Sequence, residues 1–377
     1  MFTAAIKTTA LTGLLCALAT APASAAPGVP AGWESAALGL PAAHALSQGK
    51  GITVAVLDTG ANADHPALAG RVTTGPDYVG DGASQDSDSF GRHGTAMASS
   101  VLKVAPQAQV LSIRVIDEAD HKNEQAKKGT SPISKGIDYA VKHGADVISL
   151  SLGDDNNMIS QHNSAESQSI GHAVSQGIPV LASSGNSADN GNTGAYPAGY
   201  PSVIAVAATD KKGARGAFST VRSYNAVAAP GVDVTMAKKA GGSMVGDGTS
   251  PACAFASGVV ALMLADHPKL TPAQVRSVLT TTAHHPTGGH NALVGYGTLD
   301  APAAVRAAAS APADRTVPVK YTGKEHLGTP DGTARSKHAP MEQDIWLGGL
   351  GAAGAGLLLV IGAILLGRRR RPAGAAR

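Results

Sequence analysis

Gly51-Ile52-Thr53-Val54-Ala55-Val56-Leu57 is a short apolar run bounded by glycine, and it ends in Asp58-Thr59-Gly60. A run of this length, without alternation, is the mark of a strand buried on both faces of a parallel sheet. A carboxylate at the carboxyl end of such a strand lies where open α/β sheets place their ligands. Strand-like and helix-like stretches then alternate along the chain. Gly91 to Leu102 reads as a glycine-bounded loop opening a small-residue helix with His93 at its start. Gln109 to Val115 is a second strand, and Ile133 to Lys142 is amphipathic, with Ile137, Ala140 and Val141 on one face. Asp146 to Gly153 is a strand ending in Ser151-Leu152-Gly153. Ile170 to Ser175 is helical, and Ile178 to Ala182 is a strand running into Ser183-Ser184-Gly185-Asn186. This order predicts an α/β fold of three layers, a mostly parallel central sheet with helices on both faces.

Composition agrees. The 377 residues are 43% hydrophobic and include 46 glycines but only 3% aromatics, which suits close-packed α/β layers. The formal net charge is +3, and four arginines are gathered at Arg368–Arg371, so the body is near neutral and nucleic-acid binding is not expected. Lys7, the apolar Ala10 to Ala19 and Ala23-Ser24-Ala25 read as an export signal with its cleavage site, residues 1–25. Cys16 leaves with it. Cys253 is then the one mature cysteine, so an internal disulfide is not expected, and it reads as a buried, inert thiol. Residues 311–344 mix Pro, Gly and charge as a flexible linker does. Residues 345–367 carry no charge over a length sufficient to cross a bilayer. The basic residues 368–377 then fix this end in the cytoplasm and the bulk of the chain outside, as a single-pass membrane protein.

The stretch Gly246-Asp247-Gly248-Thr249-Ser250-Pro251-Ala252-Cys253-Ala254-Phe255-Ala256-Ser257-Gly258 opens a second apolar helix. Ser250 alone reads as a helix N-cap. Asp58, His93 and Asn186, arriving on loops after strands or before helices, change that reading. A carboxylate that orients an imidazole, an imidazole that takes a proton and a hydroxyl that attacks are the parts of an activated nucleophile. An Asn amide can donate to the oxyanion. The single Asp-Thr-Gly excludes an aspartic-protease dyad, which needs two copies.

Asp…His…Ser is the subtilisin order, and the chain resembles the subtilases, the subtilisin-like serine proteases. The resemblance is carried by Val54 to Gly60, Asp64-His65-Pro66-Ala67-Leu68, His93-Gly94-Thr95, Ser151-Leu152-Gly153 and Ser184-Gly185-Asn186. It continues through Tyr200 to Val206, Ala229-Pro230-Gly231, Gly248-Thr249-Ser250, Leu270 to Arg276 and Gly295 to Ala301. It implies a catalytic domain over 45–310 after an N-terminal extension of 26–44. It also implies a triad of Asp58, His93 and Ser250 and an oxyanion hole of Asn186 with the Ser250 N–H. By the same resemblance Ser151, Leu152, Gly153, Ser183, Ser184 and Gly185 line the substrate pocket of a polypeptide substrate. A strand near Gly129 forms the other wall, and Ala195 lies at the floor. No carboxylate is visible there, so an uncharged P1 side chain is expected. The stretch Ala98 to Pro106 is shorter than in relatives that bind calcium there, so no cofactor is expected. Proline follows the nucleophile directly at Pro251, where relatives carry it four residues on, at the position of Ala254. The arrangement of signal, catalytic domain, linker, single membrane helix and basic tail resembles the mycosins, which implies a link to type VII secretion. A weakly active or inactive scaffold of such a membrane complex is the second reading.

Overall fold

The computed structural model describes residues 29–68, 70–117, 131–153, 163–314 and 343–369. The chain divides into two units, Met1–Thr316 and Val317–Arg377. In order, the first holds α1 (Trp33–Ala37), α2 (Leu40–His44), β1 (Thr53–Asp58), β2 (Val72–Asp77), α3 (Arg92–Val104), β3 (Gln109–Arg114), α4 (Pro132–Lys142), β4 (Val147–Leu150) and α5 (Ser164–Ser175). It continues with β5 (Val180–Ser183), β6 (Ile204–Thr209), β7 (Asn225–Pro230), β8 (Val234–Ala237), β9 (Ser243–Gly246), α6 (Thr249–Asp266), α7 (Pro272–Thr282) and α8 (Ala301–Ala308). The second holds α9 (Gln343–Arg369).

Seven strands form one sheet in the order β2-β3-β1-β4-β5-β6-β7, and every pairing in it is parallel. Successive side chains of a strand point to opposite faces, and β1 divides its residues accordingly. Val54 and Val56 join the core shared with α3 and α6, while Ala55 and Leu57 join the core shared with α4 and α5. Both faces are covered, which is why the sequence shows unbroken apolar runs in place of alternation. The chain leaves β1 for β2 and β3 on one side, then crosses to β4 on the other. The strand order therefore reverses at β1, whose carboxyl end opens a crevice. Asp58 is the last residue of that strand.

The helices fall near their expected places, with boundaries set by capping and by glycine. The α4 helix starts at Pro132, with the Ser131 hydroxyl accepting from the Ser134 N–H. The α5 helix starts earlier than apolar periodicity suggests, because the Asn163 side chain caps it. Ser151-Leu152-Gly153 lies just past the end of β4 rather than within it. The α6 helix is buried from Thr249 to Leu264 apart from Ser250, so its all-round apolar character is that of a central core helix. It crosses α3 closely: a Cβ on Gly258 would sit 2.6 Å from the Val104 Cβ and 2.9 Å from the Val101 carbonyl.

The N-terminal stretch 29–44 packs on the body. Trp33 Nε1 donates to the Val232 carbonyl at 3.1 Å. Glu34 and Lys103 form an ion pair with both side chains buried, and Lys103 also donates to the Thr235 carbonyl at 2.6 Å. Burial lowers the Lys103 pKa, and Glu34 opposes that shift. At the other end of the body, the Asp314 carboxylate accepts from the Thr271 hydroxyl at 2.6 Å. In the second unit, α9 covers the expected apolar segment and its leucines and isoleucines from Leu347 to Leu366 are exposed. The export signal, Gly129, residues 315–342 of the linker and the tail beyond 369 lie outside the described residues.

Gly258→Ala should destabilise the protein by about 1–3 kcal/mol, the usual cost of overpacking a filled seam. Denaturant unfolding monitored by circular dichroism would measure it, and an unchanged midpoint would show that α3 and α6 can part without loss.

Candidate active site

Asp58 is fully buried at the crevice, and its carboxylate is held from two sides. Thr59 N–H donates to Oδ1 at 2.7 Å. His93 Nδ1 lies 2.8 Å from Oδ1 and 2.9 Å from Oδ2. A carboxylate so placed accepts from an Nδ1–H, which fixes the tautomer and leaves Nε2 as the basic nitrogen. The imidazole is brought there by the start of α3. Gly91 N–H donates to the Thr59 carbonyl at 2.8 Å, and Gly94 N–H donates to Thr59 Oγ1 at 3.0 Å. Glycine is required at 94, because a Cβ there would lie 1.8 Å from the Gly60 carbonyl oxygen. His93 keeps 37% of its side chain open to solvent, while Asp58 keeps 1%.

Ser250 stands over the end of β4, the strand beside β1. Its Oγ donates to the Ser151 carbonyl at 3.2 Å, and Ser151 Oγ donates back to the Ser250 carbonyl at 2.9 Å. The N-cap of α6 is Gly248, with no side-chain cap, so Ser250 is not the cap but the second residue of the helix. Its N–H belongs to the first turn, where backbone donors have no partner within the helix and the dipole favours negative charge. Pro251 follows it within that turn, where a missing N–H costs nothing. Gly248 has φ 152, a conformation that favours glycine.

Asn186 is oriented by Thr249. Its Oδ1 accepts from the Thr249 N–H at 2.9 Å and from the Thr249 hydroxyl at 3.0 Å. Both are donors, so the oxygen must face Thr249, and the amide nitrogen turns to the other side. A Cβ on Gly248 would lie 3.9 Å from Nδ2. The Thr249 hydroxyl in turn accepts from the Gly185 N–H at 3.2 Å.

Between the carboxyl ends of β4 and β5 the remaining expected residues meet, Gly129 apart, which lies outside the described residues. Ser183 Oγ donates to the Leu152 carbonyl at 3.2 Å. Gly153 faces Ala195, where an added Cβ would lie 3.3 Å from the Ala195 methyl. The Tyr224 hydroxyl ties the two sides: it accepts from the Ala195 N–H at 3.0 Å and donates to the Ser184 carbonyl at 3.3 Å. Thr59, Thr249 and Tyr224 were not singled out from sequence. The first two stand beside Asp58 and Ser250, whose residue types carry the stronger chemical signal. Tyr224 lies 29 residues after Ala195 and carries no local signal.

Cys253, one turn along α6 from Ser250, is fully buried, and burial pushes its thiol up to about 11. That is an inert thiol. Among the described residues no group of three or more His, Cys, Asp or Glu is placed to hold a metal ion.

Comparison with known proteins places these features in one family. The family model described as "Subtilase family" matches residues 49–297. Subtilisin NAT of Bacillus subtilis subsp. natto is 35% identical over 277 residues, 71% of this chain and 69% of that protein. Among solved structures, fervidolysin from Fervidobacterium pennivorans, a keratinolytic enzyme related to subtilisin, superposes with TM-score 0.61 at 28% identity. The likeness covers 73% of this chain and 45% of fervidolysin, so this chain spans less than half of that protein. MycP1 from Mycobacterium smegmatis superposes with TM-score 0.61 at 25% identity, over 75% of this chain and 85% of its own. Another MycP1 structure, 29% identical, is that of an essential component of the type VII (ESX-1) secretion system.

Thr249→Val removes the hydroxyl that holds both Asn186 and Gly185, and Asn186→Ala removes the amide itself. Asn186→Ala should lower kcat by about 10²–10³, the cost of one oxyanion donor, with KM little changed. Thr249→Val should give a smaller loss of the same kind. Steady-state kinetics on a chromogenic peptide would show it, and an equal rise in KM for both would place Asn186 in ground-state binding instead.

Proposed function

Because the chain belongs to the subtilase family and is a subtilisin-like serine endopeptidase, we propose that it cleaves polypeptides through an acyl-enzyme on Ser250. The observation that carries this reading is the Asp58–His93 pair at the end of β1, beside Ser250 at the end of β4. Attack begins when the Ser250 hydroxyl turns from the Ser151 carbonyl to His93 Nε2 and gives up its proton there. The oxygen bonds to the scissile carbonyl carbon, and the carbonyl oxygen takes the negative charge. The Ser250 N–H and Asn186 Nδ2 hold that charge. The imidazolium, held by Asp58, then gives its proton to the leaving amine, and water repeats the sequence to release the acid.

The acyl-side residue enters the crevice between β4 and β5, with Ser151, Leu152 and Gly153 on one wall and Ser183, Ser184 and Gly185 on the other. Ala195 forms the floor. The close approach of Gly153 and Ala195 supports a small P1 side chain, and the described lining residues Ser151, Leu152, Gly153, Ser183, Ser184, Gly185 and Ala195 carry no carboxylate, which supports an uncharged one. No cofactor takes part in this scheme. The exposed apolar helix α9 and the basic residues 368–377 support anchoring by a single membrane span, with the catalytic unit outside and the basic tail in the cytoplasm. The likeness to MycP1 supports partners in a type VII secretion assembly.

A fluorophosphonate should label the purified protein and leave Ser250→Ala unlabelled, while equal labelling of both would remove Ser250 from the chemistry. In a panel of peptides varied at P1, Ala should be cleaved roughly tenfold or more faster than Arg or Phe. Preference for Arg would overturn the assignment of the pocket.

Alkaline extraction of membranes should leave the full-length chain in the pellet. It should release a chain lacking residues 343–377, and retention of both would show that α9 is not the anchor.

A further inference from the structure

The three segments that carry Asp58, His93 and Ser250 meet a second time, away from the reacting atoms, at Lys239. This residue lies in the turn between β8 and β9, closed by Lys238 N–H to the Gly242 carbonyl at 3.1 Å and Gly241 N–H to the Lys238 carbonyl at 2.8 Å. Lys239 Nζ donates to the Ser87 carbonyl at 2.6 Å. Its own carbonyl accepts from Asn62 Nδ2 at 3.0 Å.

Each partner is tied to a catalytic segment. The Ser87 carbonyl also accepts from the Phe90 N–H at 3.0 Å, which shapes the turn that delivers Gly91 and then His93. The Phe90 ring packs on Gly60, where an added Cβ would lie 2.6 Å from it. Asn62 N–H donates to Thr95 Oγ1 at 2.9 Å, and Asn62 Oδ1 accepts from the Asp64 N–H at 3.1 Å. That second bond leaves the Asn62 amide nitrogen facing Lys239. Asn62 is four residues after Asp58, Ser87 six before His93, and Lys239 eleven before Ser250. One lysine thus joins all three.

The hairpin is tied to α3 through β8, where Ala237 N–H donates to Ser99 Oγ at 2.9 Å and Lys103 Nζ donates to the Thr235 carbonyl at 2.6 Å, so what is left to Lys239 is its turn and β9. The hairpin is a two-stranded sheet apart from the main one, and β9 is largely exposed. Its turn carries Gly241 and Gly242 at φ 106 and 74. Yet β9 leads directly into Gly248 and Ser250, and catalysis tolerates little displacement of a nucleophile from its base. We propose that Lys239 is a positioning residue, which fixes the β8–β9 hairpin against the turn before α3 and so holds Ser250 in register with His93. The proposal rests on the serine-protease reading of the site.

Lys239→Met keeps the alkyl stem and removes the donor, while Lys239→Arg keeps donor and charge. The full-length protein and both variants would be followed by the rate of fluorophosphonate labelling, which needs no peptide subsites, by thermal unfolding and by hydrogen exchange. Lys239→Met should label about tenfold more slowly, with an unfolding midpoint near that of the parent. Exchange should quicken in both 87–95 and 243–250. Lys239→Arg should stay within about twofold of the parent. Unchanged labelling in Lys239→Met, or faster exchange in only one segment, overturns the proposal. So does a loss shared by both variants that follows a fall in unfolding temperature. A parent protein that fails to label overturns the serine-protease reading instead, and the exchange data still decide the role of Lys239.

Discussion

Burying α6 is the constraint on which the body depends. A helix apolar on every side must be enclosed on every side. Here the sheet supplies one wall, with β4, β5, β6 and β7, and α3 and α8 supply others. Its small residues, Ala252, Ala254, Ala256 and Gly258, let those walls come close. The enclosure fixes the helix as a rigid post, and in its buried first turn Ser250 alone is partly open. Ser250 is therefore set by the core rather than by a surface loop.

The rest of the site is built by clasping loops to that post and to the neighbouring strand ends. Thr59 gathers the start of α3, Thr249 gathers Gly185 and Asn186, and Tyr224 gathers Ala195 and Ser184. All three act through a hydroxyl that serves backbone groups or an amide. Each such bond is worth only about 1 kcal/mol net, so their role is geometric. They choose one orientation for groups that would otherwise have several. Arg114 does comparable work beneath the loop before His93. Its guanidinium, 1% exposed, meets Asp77 at 2.7 Å and Asp81 at 2.6 Å, and this bond holds the Asp81 carboxyl down at about 2.

Most of the fold was legible because buried parallel strands announce themselves. Val54 to Leu57 could not sit with one face in water, and its terminal carboxylate pointed to the crevice. The order of Asp58, His93, Asn186 and Ser250 was likewise readable, since residue type and chain order limit the chemistry. What escaped depends on contacts between distant segments. Periodicity placed α5 at Ile170, because the polar first turn under Asn163 has no apolar stripe. Ser250 read by itself as a cap, since any hydroxyl before an apolar run does so. Only the backbone showed Gly248 in that place. Tyr224 and Lys239 have no motif at all, and their importance lies in which carbonyl or N–H happens to come within reach.

The length of α6 separates two ends of the molecule. Its 18 residues span about 27 Å, with Ser250 at one end. At the other, just beyond His267, Thr271 grips Asp314 at the point where the chain leaves the body. A pull on the chain beyond Asp314 therefore enters the body at the far end of the helix from Ser250.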